Sequence, residues 1–249
     1  MLNKASAKGK FTLLSPPAIE RLRQRAQLLR ERHERANRLD PEAVRFFSRH
    51  YRPAAIGLIG TNDAIGRAIR EAQKDITGDG KPSLWSHCFL LGEIRTDRRG
   101  PNGAVSRSVY IFESDLHADR SGLQLRNGAQ ENWVGKWCVE RVEHAAVMHL
   151  PTTLCQRRLI IATALQLAGE QVLYPVAELI GAWLAIGRQR RWQANPLLSP
   201  HALYCSSFIR HCYREAGYDP FAADVALSNT GPEDIARAGV ESGTLFRLR

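Results

Sequence analysis

Residues 85–91 read Trp85-Ser86-His87-Cys88-Phe89-Leu90-Leu91. Four apolar residues in succession, without polar alternation, mark Ser86–Leu91 as a strand buried on both faces. His87 then stands at the strand start, at a sheet edge with its backbone fixed. Lys81-Pro82 makes the turn ahead of it, Thr96–Ser106 reads as a polar loop, and Ser108–Glu113 reads as the next strand. Toward the N-terminus lie an apolar run, Ala55–Gly60, and a helix, Ala64–Lys74. Before them come a short helix from Asp40-Pro41 through Phe46–Tyr51 and a long Arg-rich helix over Ala18–Ala36, after a loose arm of residues 1–17. Toward the C-terminus, Trp137–Arg141 and Ala145–Leu150 read as strands. Pro151–Gly169 and Val172–Gly187 read as helices, the second opened by Tyr174-Pro175, and Gln193–Pro200 as a loop. In Leu203–Gly217 the residues Cys205, Phe208, Ile209, Cys212 and Tyr213 recur with helical spacing, and Gly217 is a stop signal. Helices, then a strand group, then helices: the expected class is α+β.

The 249 residues are 44% hydrophobic and 24% charged, which suffices for one large core and excludes disorder, collagen and coiled coil. Five scattered cysteines (Cys88, Cys138, Cys155, Cys205, Cys212) leave at least one free, and a reducing compartment is the simpler reading. The net charge is +10, and residues 1–50 hold a surplus of seven of it against three for residues 51–249. The expected division is therefore a basic helical extension over 1–50 and a body over 51–249. Met1–Lys10 is basic with no apolar run behind it, so no signal peptide is read. Leu159–Gly187 is broken by Gln166, Glu170, Gln171, Pro175 and Glu178, short of the ~20 apolar residues of a membrane span. The expected location is cytoplasmic or peripheral to a membrane. There is no CxxC, HExxH or paired-ligand motif and no Gly-rich phosphate loop, so neither a metal nor an organic cofactor is implied.

Two local patterns carry chemistry. One is His87 at its strand start. The other is Tyr204-Cys205-Ser206-Ser207 at the opening of a helix, where unpaired N–H groups and the positive dipole end favour a thiolate and would stabilise an oxyanion. Singly, each has an ordinary explanation: a hydrogen-bonded structural histidine, a core cysteine such as Cys212, and serines that cap a helix.

Taken in order, the pieces resemble the circularly permuted papain-like cysteine hydrolases, the NlpC-like branch represented by YiiX and YaeF. In that family the histidine strand precedes the cysteine helix. The matching pieces are Trp85-Ser86-His87, then Val109-Tyr110-Ile111-Phe112-Glu113, then an insertion from Leu173-Tyr174-Pro175 to Trp183, then Tyr204-Cys205-Ser206-Ser207. A late Thr230-Gly231-Pro232-Glu233-Asp234-Ile235 completes them, so the resemblance covers roughly Pro53–Ile235. Two positions depart from it. The opening strand reads Ala54-Ala55-Ile56-Gly57-Leu58 where a Gly-Asp pair is common, and Cys88 stands where a small aliphatic residue is usual.

The resemblance implies an antiparallel sheet packed against helices, Cys205 as nucleophile and His87 as general base. Glu113 would orient the imidazole, with Asp115 and His117 as rivals for that role. The Cys205 N–H, with Tyr204 and Ser206, would serve as the oxyanion or substrate-positioning groups. The implied reaction is thiolate attack on an amide, ester or thioester through an acyl-enzyme, as in a bacterial amidase or peptidase. A second reading keeps the fold and makes the substrate a lipid acyl group. Residues 18–36 would then lie on an anionic membrane, and Leu173–Ile186 would line an acyl pocket. A non-catalytic lipid-binding protein of this fold is a further alternative. Nucleic acid is disfavoured as a partner, because aromatics are not interleaved with the basic residues.

Overall fold

The computed structural model describes residues 16–98, 105–118, 125–170, 172, 181–182, 185–187, 190–193, 203–221 and 223–248. The chain forms two units that divide between Arg38 and Leu39. In the first, α1 spans Pro16–Ala36. Its two prolines occupy the first turn, where a missing N–H leaves no hydrogen bond unmade. Arg23, Arg25, Leu28 and Arg30 are exposed, and Gln27 donates one turn on to Glu31 at 3.0 Å.

The division falls earlier than the expected break after residue 50, because α2 (Pro41–Arg49) belongs to the second unit. Asp40 caps α2 by accepting from the Glu42 and Ala43 N–H groups, and Ala43, Phe46 and Phe47 are buried.

Six strands build one antiparallel sheet: β1 Ile56–Thr61, β2 His87–Arg98, β3 Val105–Ala118, β4 Leu125–Trp133, β5 Val142–His149 and β6 Thr244–Arg247. Their spatial order is β4-β3-β2-β1-β5-β6. α3 (Ala64–Ala72) follows β1 and ends two residues short of the expected helix, giving way to a single 3-10 turn over Lys74–Ile76. The sheet is covered on both faces, which is why β1 is buried at every position. On one face Ile56, Leu58, Cys88, Leu90, Phe112 and Met148 meet α4 (Leu154–Gly169), α5 (Cys205–Glu215) and α6 (Pro232–Ser242). On the other, Ile59, Phe89, Leu91, Ile111 and Val147 meet α2 and Trp137. Each fully buried Leu, Ile or Phe contributes about 1.5–3 kcal/mol, so the two layers together dominate the fold's stability. Gly57 is required at the β1–β2 contact, since a Cβ there would stand 2.1 Å from the Phe89 ring. Gly217 stops α5 at φ +72°, a conformation that costs a residue with a Cβ about 1–2 kcal/mol.

Two expectations are corrected, and one strand was not expected. Thr96–Ser106 is not a loop along its whole length: β2 and β3 run into it as a hairpin, with Thr96 opposite Arg107 and Arg98 opposite Val105. Backbone ladders need no apolar side chains, so polar composition concealed the extension. Trp137–Arg141 is not a strand. It follows a 3-10 turn at Val134–Lys136, only Val139 makes an isolated bridge (to Leu39), and β5 begins at Val142. Trp137 and Val139 are apolar because they cover the sheet. β4 has no counterpart in the sequence reading, because as an edge strand it lacks apolar alternation. Of the helix expected over 172–187, Val172 is not helical, residues 181–182 and 185–187 are, and 173–180 and 183–184 lie outside the described residues, as do residues 194–200 of the expected loop and residues 1–15 of the expected arm, whose Pro16 and Pro17 belong to α1.

Candidate active site

β2 pairs with β1 from its first residue, Ile59 opposite His87, but its pairing with β3 starts only at Leu90 opposite Phe112. Beyond Phe112, β3 continues against β4, with Glu113 opposite Gln130 and Ser114 opposite Ala129. The two central strands therefore part at one end. There the Ser114 hydroxyl donates to the Leu203 carbonyl and ties the residues ahead of α5 to the sheet. That tie brings Cys205, the first residue of α5, to the first residues of β2.

Glu113 is wholly buried, yet each carboxylate oxygen accepts two hydrogen bonds. Oε2 accepts from His87 Nε2 and Trp137 Nε1, and Oε1 from Asn132 Nδ2 and Lys136 Nζ, all at 2.7 Å. Burial favours the neutral acid, but the Lys136 charge and the His87 hydrogen bond outweigh it and hold Glu113 well below the usual carboxylate range. With Nε2 engaged by Glu113, Nδ1 is the ring nitrogen left to face Cys205, whose sulfur stands near enough to His87 to shift its proton affinity. Burial opposes a charged imidazole here. The Cys205 thiolate, followed by Glu113, overcomes it and raises His87 to about 10.

Cys205 lies well below an ordinary thiol. A hydrogen bond from the Cys88 thiol is the largest cause; burial opposes it, and the His87 charge and hydrogen bond and the Cys88 backbone N–H add to the lowering. Cys88 moves the other way, pushed well up by burial and then by its thiolate neighbour. Of the two thiols, Cys205 carries the charge. Cys212, farther along α5, is pushed up by burial.

The structure thus brings Cys205, His87 and Glu113 together and separates the rivals. The Asp115 carboxylate is engaged by Lys136 at 2.8 Å, and His117 lies two positions further along β3, opposite Arg126. The Tyr204 and Ser206 hydroxyls, expected beside an oxyanion or substrate, are engaged elsewhere. The Tyr204 hydroxyl donates to the Ser228 carbonyl at 2.9 Å, and the Ser206 hydroxyl to the Thr230 carbonyl at 2.6 Å. Both are buried and spend their protons on the segment that precedes α6. Buried Arg210, paired with Asp219 and donating to the Thr230 hydroxyl at 3.0 Å, holds the same segment. The oxyanion donors that remain are backbone N–H groups of the first turn of α5, which lack intrahelical acceptors.

Lys136, Trp137 and Asn132 escaped the sequence reading as site residues. They reach Glu113 only through the pairing of β4 with β3, and no local pattern marks them. Beside Cys205 lies a small, mostly apolar recess with room for about one water molecule, lined by Ile69, Ala182, Ile186, Tyr204, Thr230 and Pro232 among others. Among the described residues no group of three His, Cys, Asp or Glu side chains is arranged to hold a metal ion, and no helix is long and apolar enough to cross a membrane. No protein-family model matches the chain, and no curated protein matches it.

Proposed function

We propose that the protein is a cysteine hydrolase of the circularly permuted papain-like type, cleaving an amide or related acyl bond through an acyl-enzyme. The observation that carries this reading is the buried relay in which saturated Glu113 fixes His87 and His87 meets a depressed Cys205. Cys205 Sγ attacks the carbonyl carbon, and the oxyanion forms against the first N–H groups of α5. The His87 imidazolium gives its proton to the leaving group as the tetrahedral intermediate collapses to a thioester. His87, now neutral, takes a proton from water, whose oxygen attacks the thioester and releases the acid. Glu113 stays ionised throughout and keeps the Nε2 proton in place.

The test is iodoacetamide labelling of the native protein across pH, read per cysteine, on wild type and His87→Ala. Turnover of an amide and an ester panel is followed on wild type and Cys205→Ala. Labelling of Cys205 below the ordinary thiol range, lost with His87, together with turnover abolished in Cys205→Ala, is the expected result. A Cys205 as inert as Cys212, or indifferent to His87, overturns it and favours a non-catalytic binding protein.

The exposed arginines of α1 favour a second reading, an acyl hydrolase or acyltransferase acting on lipid, with α1 lying on an anionic membrane. Hydrolysis of long-chain thioesters or phospholipid vesicles, set against short peptide amides, separates the two substrates.

A further inference from the structure

Where β2 has parted from β3, the approach to His87 and the opening of α5 are joined through a third stretch of chain, Ser228–Glu233. On the α5 side, the hydroxyls of Tyr204 and Ser206 donate to the Ser228 and Thr230 carbonyls, and Arg210 donates to the Thr230 hydroxyl. On the β2 side the join is made by Gln73, the residue that ends α3. Gln73 is only 1% exposed, and its amide is spent in both directions. Nε2 donates to the Trp85 carbonyl at 2.9 Å and the Ile69 carbonyl at 3.0 Å, and Oε1 accepts from the Glu233 N–H at 2.8 Å. Trp85 stands two residues ahead of His87. A second bridge runs beside the first: the Trp85 N–H donates to the Ser83 hydroxyl at 3.0 Å, and that hydroxyl donates to the Glu233 carboxylate at 2.6 Å. Both backbone groups of Trp85 thus reach Glu233, each through one side chain. The fit is close enough to require Gly231, where a Cβ would stand 2.9 Å from Gln73 Oε1. Gln73, Ser86, Thr230 and Gly231 also border the recess beside Cys205, and room for about one water leaves them little slack.

We infer that Gln73 is a positioning residue: it holds the approach to His87 against Ser228–Glu233 and so sets the reach of the imidazole to the Cys205 sulfur. It acts through Trp85 and Glu233, not on the reacting atoms. A buried amide bonded on three sides has one favoured placement, because any shift leaves a buried donor or acceptor unpaired. Without Gln73 the Trp85 carbonyl and the Glu233 N–H lose the group that joins them, and the Ser83 bridge alone connects the two chain segments. The His87 side of the pair is then free to drift from the Cys205 side. A displacement of about 1 Å between reacting groups costs about a hundredfold in rate. This rests on Cys205 and His87 acting together, as proposed above.

The test measures turnover of the ester panel across pH on wild type, Gln73→Met and Gly231→Ala, with urea midpoints taken on the same preparations. Gln73→Met keeps the length of the side chain and removes its three hydrogen bonds. Gly231→Ala keeps every hydrogen-bonding group and only crowds the Gln73 oxygen, so it carries the test if Gln73→Met does not fold. In Gln73→Met kcat is expected to fall about a hundredfold with KM unchanged, and the pH–rate profile to narrow from both sides. Gly231→Ala should change both in the same direction by a smaller factor. A wild-type kcat or an unshifted pH profile in the folded variants, whatever the urea midpoint, would overturn the inference and leave the Cys205–His87 reading intact, since a merely structural glutamine moves stability alone. A wild-type protein without turnover that depends on Cys205 would overturn both.

Discussion

Glu113→Gln removes one charge from the relay and almost nothing of its shape. In the wild type the carboxylate is fully buried and accepts from His87, Trp137, Asn132 and Lys136. The amide keeps one acceptor oxygen, but it no longer balances the imidazolium. A hydrogen bond to a charged group contributes about 1.5–3 kcal/mol, and one pKa unit is about 1.4 kcal/mol, so His87 should fall by about 1–2 units from its value of about 10. The Cys205 thiolate remains the larger support of the imidazolium, so the shift stops short of the ordinary value. The pair is mutual, and the pH at which Cys205 gives up its proton should rise as His87 falls. The assay is the pH dependence of iodoacetamide incorporation at Cys205. Wild type should show a lower inflection where the thiolate–imidazolium pair forms, and an upper one at about 10 where His87 releases its proton. In Glu113→Gln the upper inflection should come down to about 8–9 and the lower one should rise, narrowing the window from both sides. Native Cys212 should stay unlabelled in both proteins, which reports intact packing of α5. Superimposable profiles would refute the reasoning, since Glu113 would then be a structural acid with no hold on the pair.

Stability should follow the same protons. His87, raised when folded, contributes stability fully present below its unfolded value of 6.5 and lost as pH rises through about 10. Cys205, depressed when folded, contributes stability present above its unfolded value of 9.0 and lost as pH falls toward its folded one. Together they make the urea midpoint rise to about pH 6.5, stay level to about 9, then decline through about 10; a His87→Ala, Cys205→Ala double variant should lose both edges. Lys136→Met leaves the Glu113 and Asp115 carboxylates without their shared cation and should cost about 3–5 kcal/mol in urea unfolding; a loss below about 1 kcal/mol would mean the ion pair is not buried in solution. Cys88→Ala deletes the largest influence that lowers Cys205, so the lower labelling inflection should rise. An unmoved inflection would show that Cys88 has no hold on the protonation of Cys205. Replacing Arg23, Arg25 and Arg30 together by Ser should weaken binding to phosphatidylserine vesicles by about 3 kcal/mol, roughly a hundredfold, if α1 lies on anionic lipid; unchanged binding would end the membrane reading.

What could be read from the sequence was local. The helices at α1, α2, α3, α4 and α5 announce themselves through composition, apolar spacing and caps such as Asp40 and Gly217. Ser86–Leu91 is legible because a doubly covered strand must be apolar throughout. Cys205 and His87 could be named for the same reason: a helix N-terminus and a strand start act on residues within a turn or two along the chain. The tertiary structure decided everything that depends on which distant groups meet. β4 is silent in sequence because an edge strand is held by backbone hydrogen bonds, yet it delivers Asn132 and leads to Lys136 and Trp137. Glu113 and Asp115 share one face of β3 and Lys136 pairs with both, and what separates them is that the imidazole reaches Glu113. Tyr204 and Ser206 flank Cys205 in sequence but turn their hydroxyls to Ser228 and Thr230. Cys88, read as a departure from a pattern, joins Cys205 in one buried core only through the packing of α5 on the sheet. Periodicity, capping and chain stiffness act over a few residues and are written in order along the chain. Desolvation and charge pairing act through space, so the protonation of Cys205, His87 and Glu113 is a property of the folded molecule.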